Sequence, residues 1–169
     1  ATPIAMQRCG LPFADAALVL EWHVLAMFVP SFFTGHLIKR IGVLPVMAVG
    51  VALNLLCVVI ALQGIELMNF LAALIALGIG WNFLYVGGST LLTSTYRPEE
   101  KNKAQGAMDF CVYATMTLTS LSSGALVTTG GGTSMNLGSL LPLALLGAAL
   151  LWLASHRRAA HNPISTSGG

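Results

Sequence analysis

The sequence predicts an all-α, polytopic membrane protein with five transmembrane helices. Of its 169 residues, 56% are hydrophobic and only 8% are charged, whereas a soluble domain is about 25% charged. The apolar residues gather in five runs of about 20, the length that a helix needs to cross a bilayer. The runs show no alternation of polar and apolar residues, so helices are expected rather than a β-barrel. The lipid bilayer is therefore the first expected partner.

The five spans and the segments between them follow from this pattern. The spans lie at roughly 16–38, 43–62, 67–93, 106–129 and 137–155. Residues 1–6 are predicted to be the end of a preceding helix. Residues 130–136, with the sequence GGGTSMN, are predicted to form the loop between the fourth and fifth spans. The tail, residues 159–169, is small and polar and is expected to be disordered on the cytoplasmic side.

Basic residues are distributed unevenly between the two sides of the membrane. If successive connections alternate sides, seven of the eight Lys and Arg residues fall on one side, and only Arg8 falls on the other. The seven are Lys39, Arg40, Arg97, Lys101, Lys103, Arg157 and Arg158. Because cytoplasmic loops carry an excess of Lys and Arg, that side and the C-terminus are predicted to be cytoplasmic. The net charge of +2 is small, so no nucleic-acid partner is expected.

The sequence contains none of the common motifs for a metal, a nucleotide or a catalytic centre. Cys9, Cys57 and Cys111 are far apart and form no cluster with metal-ligand spacing. There is no P-loop and no HExxH, and Glu21 and His23 have the wrong spacing for a helical metal site. We therefore expect no cofactor, no bound metal and no enzymatic activity.

The connection between the first and second spans resembles a loop of a known family. Its pattern consists of Gly35, Leu37, Arg40 and Gly42. This pattern resembles the cytoplasmic loop signature of the major facilitator superfamily of secondary transporters. Lys39 stands where that family has an acidic residue, so the resemblance does not imply a charge relay through a carboxylate at this position. A tight turn between two helices, with close approach at Gly35 and a permissive backbone at Gly42, explains the same residues in isolation.

A second connection, RPEEKNKAQG at residues 97–106, is similar to the loop that the family has two helices later. The residues that carry this similarity are Arg97, Glu99, Glu100 and Lys103. Pro98 and the two glutamates also suit the positive first turn of a helix, which is the structural explanation of the same stretch. The separation of the two loops by two spans fits the family as well.

The resemblance implies a role for the whole chain. Residues 1–158 would be the C-terminal transmembrane half of a transporter of about twelve helices, with the end of helix 7 followed by helices 8 to 12. The implied activity is secondary active transport of a small organic solute by alternating access in a bacterial inner membrane, with proton coupling as one option. The implied partners are the solute and the N-terminal half of the same transporter. A small membrane protein with a structural or assembly role, or an intramembrane enzyme, are the alternatives.

The stretch GIGWNFLYVGG, near the midpoint of the third span, supplies the main candidates for a substrate cavity. Trp81 and Tyr85 are four residues apart and Asn82 and Tyr85 are three apart, so the three side chains can share one sector of a helix. Polar groups at that depth need either a cavity or a neighbouring helix as partner. The resemblance makes this span helix 10, which lines the central cavity in the family. Tyr113 of the fourth span is a further cavity candidate. The alternative for the polar side chains of that span is hydrogen bonding between helices or back to the carbonyls of their own helix.

Ionisable residues inside spans are expensive, so Glu21, His23 and Asp109 are candidates for function. Glu21 and His23 lie in the outer third of the first span, where an interface cluster and a substrate or proton site explain them equally well. Histidine is the residue type whose charge changes most readily near neutral pH, which makes His23 a coupling candidate. Asp109 is the other coupling candidate, although its place near the start of the fourth span also suits a negative charge at a helix N-terminus.

Overall fold

The computed structural model describes the backbone of residues 2–161 and the side chains of residues 2–123 and 138–156. Within this part of the chain the regular secondary structure is helical, without strands. The helices are α1 (Thr2–Arg8), α2 (Phe13–Phe28), α3 (Ser31–Ile41), α4 (Val43–Gln63), α5 (Leu67–Leu92), α6 (Lys101–Gly138) and α7 (Leu140–His161), with a 3₁₀ turn at Pro98–Glu100. The predicted all-α class is confirmed.

Two helices coincide with predicted spans. α4 has 21 residues and a mean hydropathy of 2.6 in its most apolar stretch, and α5 has 26 residues and a mean hydropathy of 1.8. Both are long and apolar enough to cross a membrane. The spans predicted at 43–62 and 67–93 therefore agree with the structure to within one residue at each end.

The first predicted span, 16–38, is two helices. α2 ends at Phe28 and α3 begins at Ser31, and the two are bent by 41° at the break. Pro30 causes the break, because it has no N–H to donate to the carbonyl of Ala26 and its ring crowds that carbonyl. The prediction of one uninterrupted helix is wrong here. Taken together, the bent pair is still long and apolar enough to count as a third span.

The connection predicted at residues 130–136 also differs from the structure. α6 continues through these residues to Gly138, and only Ser139 separates it from α7. Three consecutive glycines suggested a loop, since each weakens a helix by about 1 kcal/mol, but glycine keeps its backbone donor and does not interrupt a helix by itself. Pro142 has no donor for the carbonyl of Gly138, which places the break at Ser139. The spans predicted at 106–129 and 137–155 fall on α6 and α7.

The two ends of the chain complete the comparison with the predicted elements. The helix end expected at residues 1–6 is α1, Thr2–Arg8. Residues 159–161 of the predicted tail form the last turn of α7, and residues 162–169 lie outside the described part of the chain. The described residues contain two spans and a third, broken one, which makes the protein multi-pass.

α5 lies at the centre of the bundle, and its contacts fix the direction of its neighbours. His23 of α2 reaches Leu74 and Thr34 of α3 reaches Asn82, so the α2–α3 pair runs parallel to α5. α4 and α6 contact α5 in the antiparallel sense. The ends of α3 and α5 and the starts of α4 and α6 therefore meet at one end of the bundle. This basic end carries Lys39, Arg40, Arg97, Lys101 and Lys103.

Glycines allow two helices to approach α5 closely. A Cβ atom built on Gly78 would lie 2.8 Å from the carbonyl oxygen of His23 in α2. A Cβ atom built on Gly80 would lie 2.9 Å from the carbonyl oxygen of Gly50 in α4. A larger residue at either position would push the helices apart, as at other membrane-helix contacts made through small residues. α2 and α4 are thus fixed against α5.

A cluster of buried apolar side chains lies at the end opposite the basic end. Its members are Met6, Ala16, Val19 and Leu74, from α1, α2 and α5. Many large apolar side chains are nevertheless exposed, among them Phe32 of α3 with 79% of its surface exposed. Lipid or further helices would cover such side chains, as expected for a membrane protein.

Candidate functional site

Trp81 and Tyr85 form a stacked aromatic pair on α5. Their ring centroids are 4.8 Å apart, and the ring planes differ by 8°. Both residues are half-buried. The four-residue spacing predicted that the two side chains share a face of the helix, and in the structure they are in direct contact.

The hydroxyl of Tyr85 connects this pair to α6. It donates a hydrogen bond to Oδ1 of Asp109, with 2.8 Å between the two oxygens. Asp109 is half-buried, and a partly buried carboxylate is stabilised by such a donor because an unpaired charge away from water is costly. Trp81, Tyr85 and Asp109 are called the Trp-Tyr-Asp cluster below.

Further polar side chains lie on either side of the cluster. Tyr113 follows Asp109 by one turn of α6, and 59% of its surface is exposed. Towards the basic end, Ser89 of α5 donates to Oε1 of Gln105 in α6 across 3.2 Å. α5 and α6 are therefore joined by polar contacts at two levels, and Tyr113 adds a second phenol near the cluster.

The cluster has two properties that suit the binding of a small organic molecule. Aromatic faces attract planar rings and cations. A carboxylate accepts hydrogen bonds from N–H and O–H groups, or takes up a proton. Among the side chains that the structure describes, no group of three or more His, Cys, Asp or Glu is placed to hold a metal ion. The arrangement thus offers an aromatic face and a hydrogen-bond acceptor side by side.

Asn82 is directed away from the cluster, although the sequence groups it with Trp81 and Tyr85. It is 1% exposed and contacts α2 and α3. Its Nδ2 donates to the carbonyl of Met27 across 2.7 Å, and its Oδ1 accepts from Oγ1 of Thr34 across 2.7 Å. Of the two environments that the sequence allowed, a cavity or a neighbouring helix, the structure places Asn82 against the neighbouring helix.

Glu21 and His23 lie apart from the cluster on α2. The side chain of Glu21 is exposed. Nδ1 of His23 is 2.7 Å from the carbonyl oxygen of Leu74, and because a carbonyl can only accept, Nδ1 carries the hydrogen and donates it. Leu74 precedes Tyr85 by about 16 Å along the axis of α5. His23 therefore ties α2 to α5 at a level well away from the cluster.

The residues of the first loop pattern lie at the junction of α3 and α4. Gly35, Leu37 and Arg40 belong to α3, and Gly42 joins the two helices. Gly42 has a φ of 94°, a backbone conformation that favours glycine. A Cβ atom built on Gly35 would meet no atom within 4 Å, so close approach to another described residue does not explain this glycine.

The second loop pattern forms the start of α6. Pro98 occupies the first position of the 3₁₀ turn that leads into the helix, as its place in the sequence predicted. The N–H of Arg97 donates to Oε2 of Glu100 across 3.4 Å. Glu99 and Lys103 are exposed on the same turns. These residues build a solvated helix start at the basic end.

Ser31 and Thr34, which bind Asn82 beside the break in the first span, are not among the residues that the sequence singles out. The signal that could have identified them was Pro30 inside an apolar run, followed by two hydroxyl side chains within one turn. Hydroxyls of this kind often replace backbone hydrogen bonds at a kink.

A hollow of about 1080 Å³ lies towards the end opposite the basic end, between α1, α4, α5, α6 and α7. The described residues that line it include Arg8, Asn54, Gln63 and Thr119, and they include none of the site residues predicted from the sequence. The hydroxyl of Thr119 donates to its own helix, at the carbonyl of Thr115, across 2.8 Å. The predicted residues that the structure brings together are those of the Trp-Tyr-Asp cluster.

The resemblance in the two loops extends over the whole sequence. The sequence profile of the Major Facilitator Superfamily matches residues 1–168. This chain belongs to the Major Facilitator Superfamily. The helical bundle and its loop patterns are therefore those of a superfamily member.

Curated relatives show how much of such a protein the chain represents. It is 45% identical over 136 residues to the riboflavin transporter RfnT of Brucella anthropi, a match that covers 80% of this chain and 34% of that protein. It is 34% identical over 152 residues to the uncharacterized MFS-type transporter YdeG of Bacillus subtilis, with 88% and 33% covered. It is 29% identical over 154 residues to the uncharacterized MFS-type transporter YddS of the same organism, with 89% and 35% covered. The chain thus spans about a third of the length of these relatives, and no solved structure matches it significantly.

Proposed function

We propose that this chain is the C-terminal transmembrane half of a secondary active transporter that carries a small organic solute by alternating access. The observation that carries the proposal is the Trp-Tyr-Asp cluster between α5 and α6. Membership of the superfamily supports a transporter over an enzyme or a structural protein. The greater length of the relatives supports an N-terminal half as the partner that closes the cavity.

The solute that we propose is a planar heteroaromatic compound, with riboflavin as the first compound to test. RfnT, which is 45% identical to this chain, is named as a riboflavin transporter. The stacked rings of Trp81 and Tyr85 offer the kind of surface on which a planar ring binds. The carboxylate of Asp109 accepts from Tyr85 and has further acceptor capacity for an N–H or O–H of the solute.

Proton coupling would act through the same cluster. Asp109 is its ionisable member, and protonation would turn a pure acceptor into a group that can also donate. This would change how the carboxyl binds Tyr85 and the solute, and so link the proton to solute binding. His23 is the other coupling candidate, but its Nδ1 is engaged with the backbone of α5.

The orientation that we propose follows from the cations. The basic end carries the Lys and Arg residues of α3, α6 and the connections beside them, and such residues favour the cytoplasmic face of the bacterial inner membrane. The C-terminus would lie on the same side. A reporter enzyme fused after Arg158 tests this, because cytoplasmic activity supports the orientation and periplasmic activity contradicts it.

Uptake of labelled riboflavin by the full-length protein in proteoliposomes tests the function. We expect Trp81→Ala to lower uptake about tenfold at limiting solute, the effect of about 1.4 kcal/mol of lost ring contact. Trp152→Ala is the matched control, because Trp152 packs on His156 within α7 at 4.4 Å between ring centroids. Equal uptake by the Trp81 and Trp152 variants would contradict the site. If the parent protein moves neither riboflavin nor other planar heteroaromatics, the proposed solute class is wrong.

A further inference from the structure

Asn82 makes three hydrogen bonds that span the break in the first transmembrane segment. Its Nδ2 donates to the carbonyl of Met27 across 2.7 Å, in the last turn of α2, and to Oγ of Ser31 across 2.5 Å, at the first residue of α3. Its Oδ1 accepts from Oγ1 of Thr34 across 2.7 Å. One side chain of α5 therefore holds both sides of the break at Pro30.

These hydrogen bonds replace backbone hydrogen bonds that the break between α2 and α3 removes. A helix that ends at a proline leaves carbonyls of its last turn without their usual donors four residues ahead. In the hydrocarbon layer water cannot replace those donors. The carbonyl of Met27 is one such group, and Asn82 provides its donor. Because the side chain is 1% exposed and both hydrogens of its amide are used, Asn82 is engaged with the helix rather than with a solute.

The hydroxyl of Thr34 has one proton and two acceptors. It lies 2.8 Å from the carbonyl oxygen of Pro30 and 2.7 Å from Oδ1 of Asn82. A hydroxyl donates its single proton to one acceptor at a time. If the Thr34 hydroxyl rotates from Oδ1 of Asn82 to the carbonyl of Pro30, one hydrogen bond replaces the other. α3 can then separate from α5 while this hydroxyl keeps an acceptor.

α2 and α3, on either side of the break, differ in how firmly they are packed against α5. α2 is fixed by the close approach at Gly78 and by the hydrogen bond from His23 to Leu74. α3 is joined to α5 through Asn82, by Ser31 and Thr34. Any change in the bend would therefore move α3 and leave α2 in place.

We propose that Asn82 is a positioning residue that sets the bend between α2 and α3. When the Thr34 hydroxyl donates to the carbonyl of Pro30 instead of to Asn82, the basic end of α3 can move away from α5. This goes beyond the proposed transport function, because it gives Asn82 a hinge role instead of contact with the solute. Arg40 lies about 15 Å from Pro30 along α3, so a small change in the bend is amplified at the loop that resembles the family signature.

Distances between spin labels at the basic end test the proposal in the full-length protein in nanodiscs. Labels are placed on Lys39→Cys at the end of α3 and Thr93→Cys beyond α5, with the three native cysteines of this chain replaced by serine. We expect two distance populations. Asn82→Leu, which removes the amide at similar volume, should increase the longer population at least fivefold relative to the shorter one. Pro30→Ala, which restores a backbone donor, should reduce the exchange to one dominant population.

Asn54→Leu is the matched control, because Asn54 is also a buried asparagine of the bundle but donates to its own helix, at Gly50, across 2.8 Å. An equal shift in this control, or an unchanged distribution in Asn82→Leu, would overturn the proposal. Should the Asn82 variant fail to fold, Thr34→Val decides, since it replaces the hydroxyl that donates to Asn82 by a methyl group of similar size and is expected to favour the longer population.

The test does not depend on the identity of the solute. The distances report on geometry, so a protein that fails to carry riboflavin still confirms or overturns the hinge. Where transport is measurable, we expect Asn82→Leu to lower kcat several-fold and to leave KM within twofold. A raised KM with an unchanged kcat would instead place Asn82 in solute binding and overturn the hinge.

Discussion

Gly50 of α4 and Gly80 of α5 face each other so closely that a Cβ atom on either residue would lie 3.0 and 2.9 Å, respectively, from the carbonyl oxygen of the other. Backbone atoms cannot rotate away as a flexible side chain can. We therefore expect Gly80→Ala to destabilise the protein by about 1 to 3 kcal/mol, the usual cost of overpacking. Thermal unfolding of the full-length protein in detergent measures this.

Gly147→Ala provides the control for this substitution. Gly147 is inside α7, and a Cβ atom there would meet no atom of the described residues within 4 Å. Alanine favours a helix over glycine by about 0.5 to 1 kcal/mol, so this variant should be as stable as the parent or more so. Equal midpoints for the Gly80 and Gly147 variants would show that α4 and α5 do not pack as described.

Gly42, between α3 and α4, and Gly35, inside α3, should respond differently to substitution by alanine. Gly42 has a φ of 94° and a ψ of 161°, a region that is essentially restricted to glycine and costs other residues about 1 to 3 kcal/mol. Gly35 is helical, and a Cβ atom built on it would lie more than 4 Å from the atoms of the part of the chain that the structure describes. Gly42→Ala should lower the unfolding midpoint, whereas Gly35→Ala should leave it unchanged or raise it. The prediction fails if the two variants unfold together.

The bounds of α4 and α5 could be predicted from the sequence almost to the residue. In lipid, every backbone group of a span must bond within its own helix, so length and hydropathy nearly suffice. The break at Pro30 was not predicted, because the bend that a proline introduces depends on whether neighbouring helices supply hydrogen-bond donors to the freed carbonyls. Those donors come from Asn82, which is 51 residues away from Ser31 in the sequence.

In the Trp-Tyr-Asp cluster, too, the contact within one helix was predictable from the sequence and the contact between helices was not. The contact between Trp81 and Tyr85 follows from their spacing on one helix. The hydrogen bond from Tyr85 to Asp109 depends on the height and rotation of α6 against α5, which no local pattern encodes. The direction of the Asn82 side chain could not be predicted for the same reason. It contacts α2 and α3, whereas Tyr85 on the same helix contacts α6.

Substitutions of His23 can distinguish a structural role, its hydrogen bond to the carbonyl of Leu74, from a role in proton coupling. Asparagine can place its Nδ2 where His23 has Nδ1, whereas glutamine places its donor one atom further out. We expect His23→Asn to keep the stability of the parent within about 0.5 kcal/mol and His23→Gln to lose about 1 kcal/mol, the net worth of one hydrogen bond. Thermal unfolding compares the two variants.

His23→Asn also tests whether this side chain carries a proton during transport. Asparagine does not titrate, so a coupling role would remove the pH dependence of uptake even in a stable variant. We expect the pH profile to be retained, because Nδ1 is engaged with the backbone of α5. Loss of the profile in this variant would move the coupling site from the cluster to His23.

Asp109→Asn is the corresponding test of the cluster. Asparagine retains an oxygen that can accept from the Tyr85 hydroxyl, at 2.8 Å in the parent, but it cannot exchange a proton. If Asp109 couples transport to protons, uptake by this variant should no longer depend on a pH gradient and should vary little between about pH 5 and 8. Glu21→Gln is the control, since Glu21 is exposed on α2 and should leave the pH profile unchanged. A parent-like profile in Asp109→Asn would exclude this carboxylate as the coupling group, because no titrating group would remain in the cluster at these pH values.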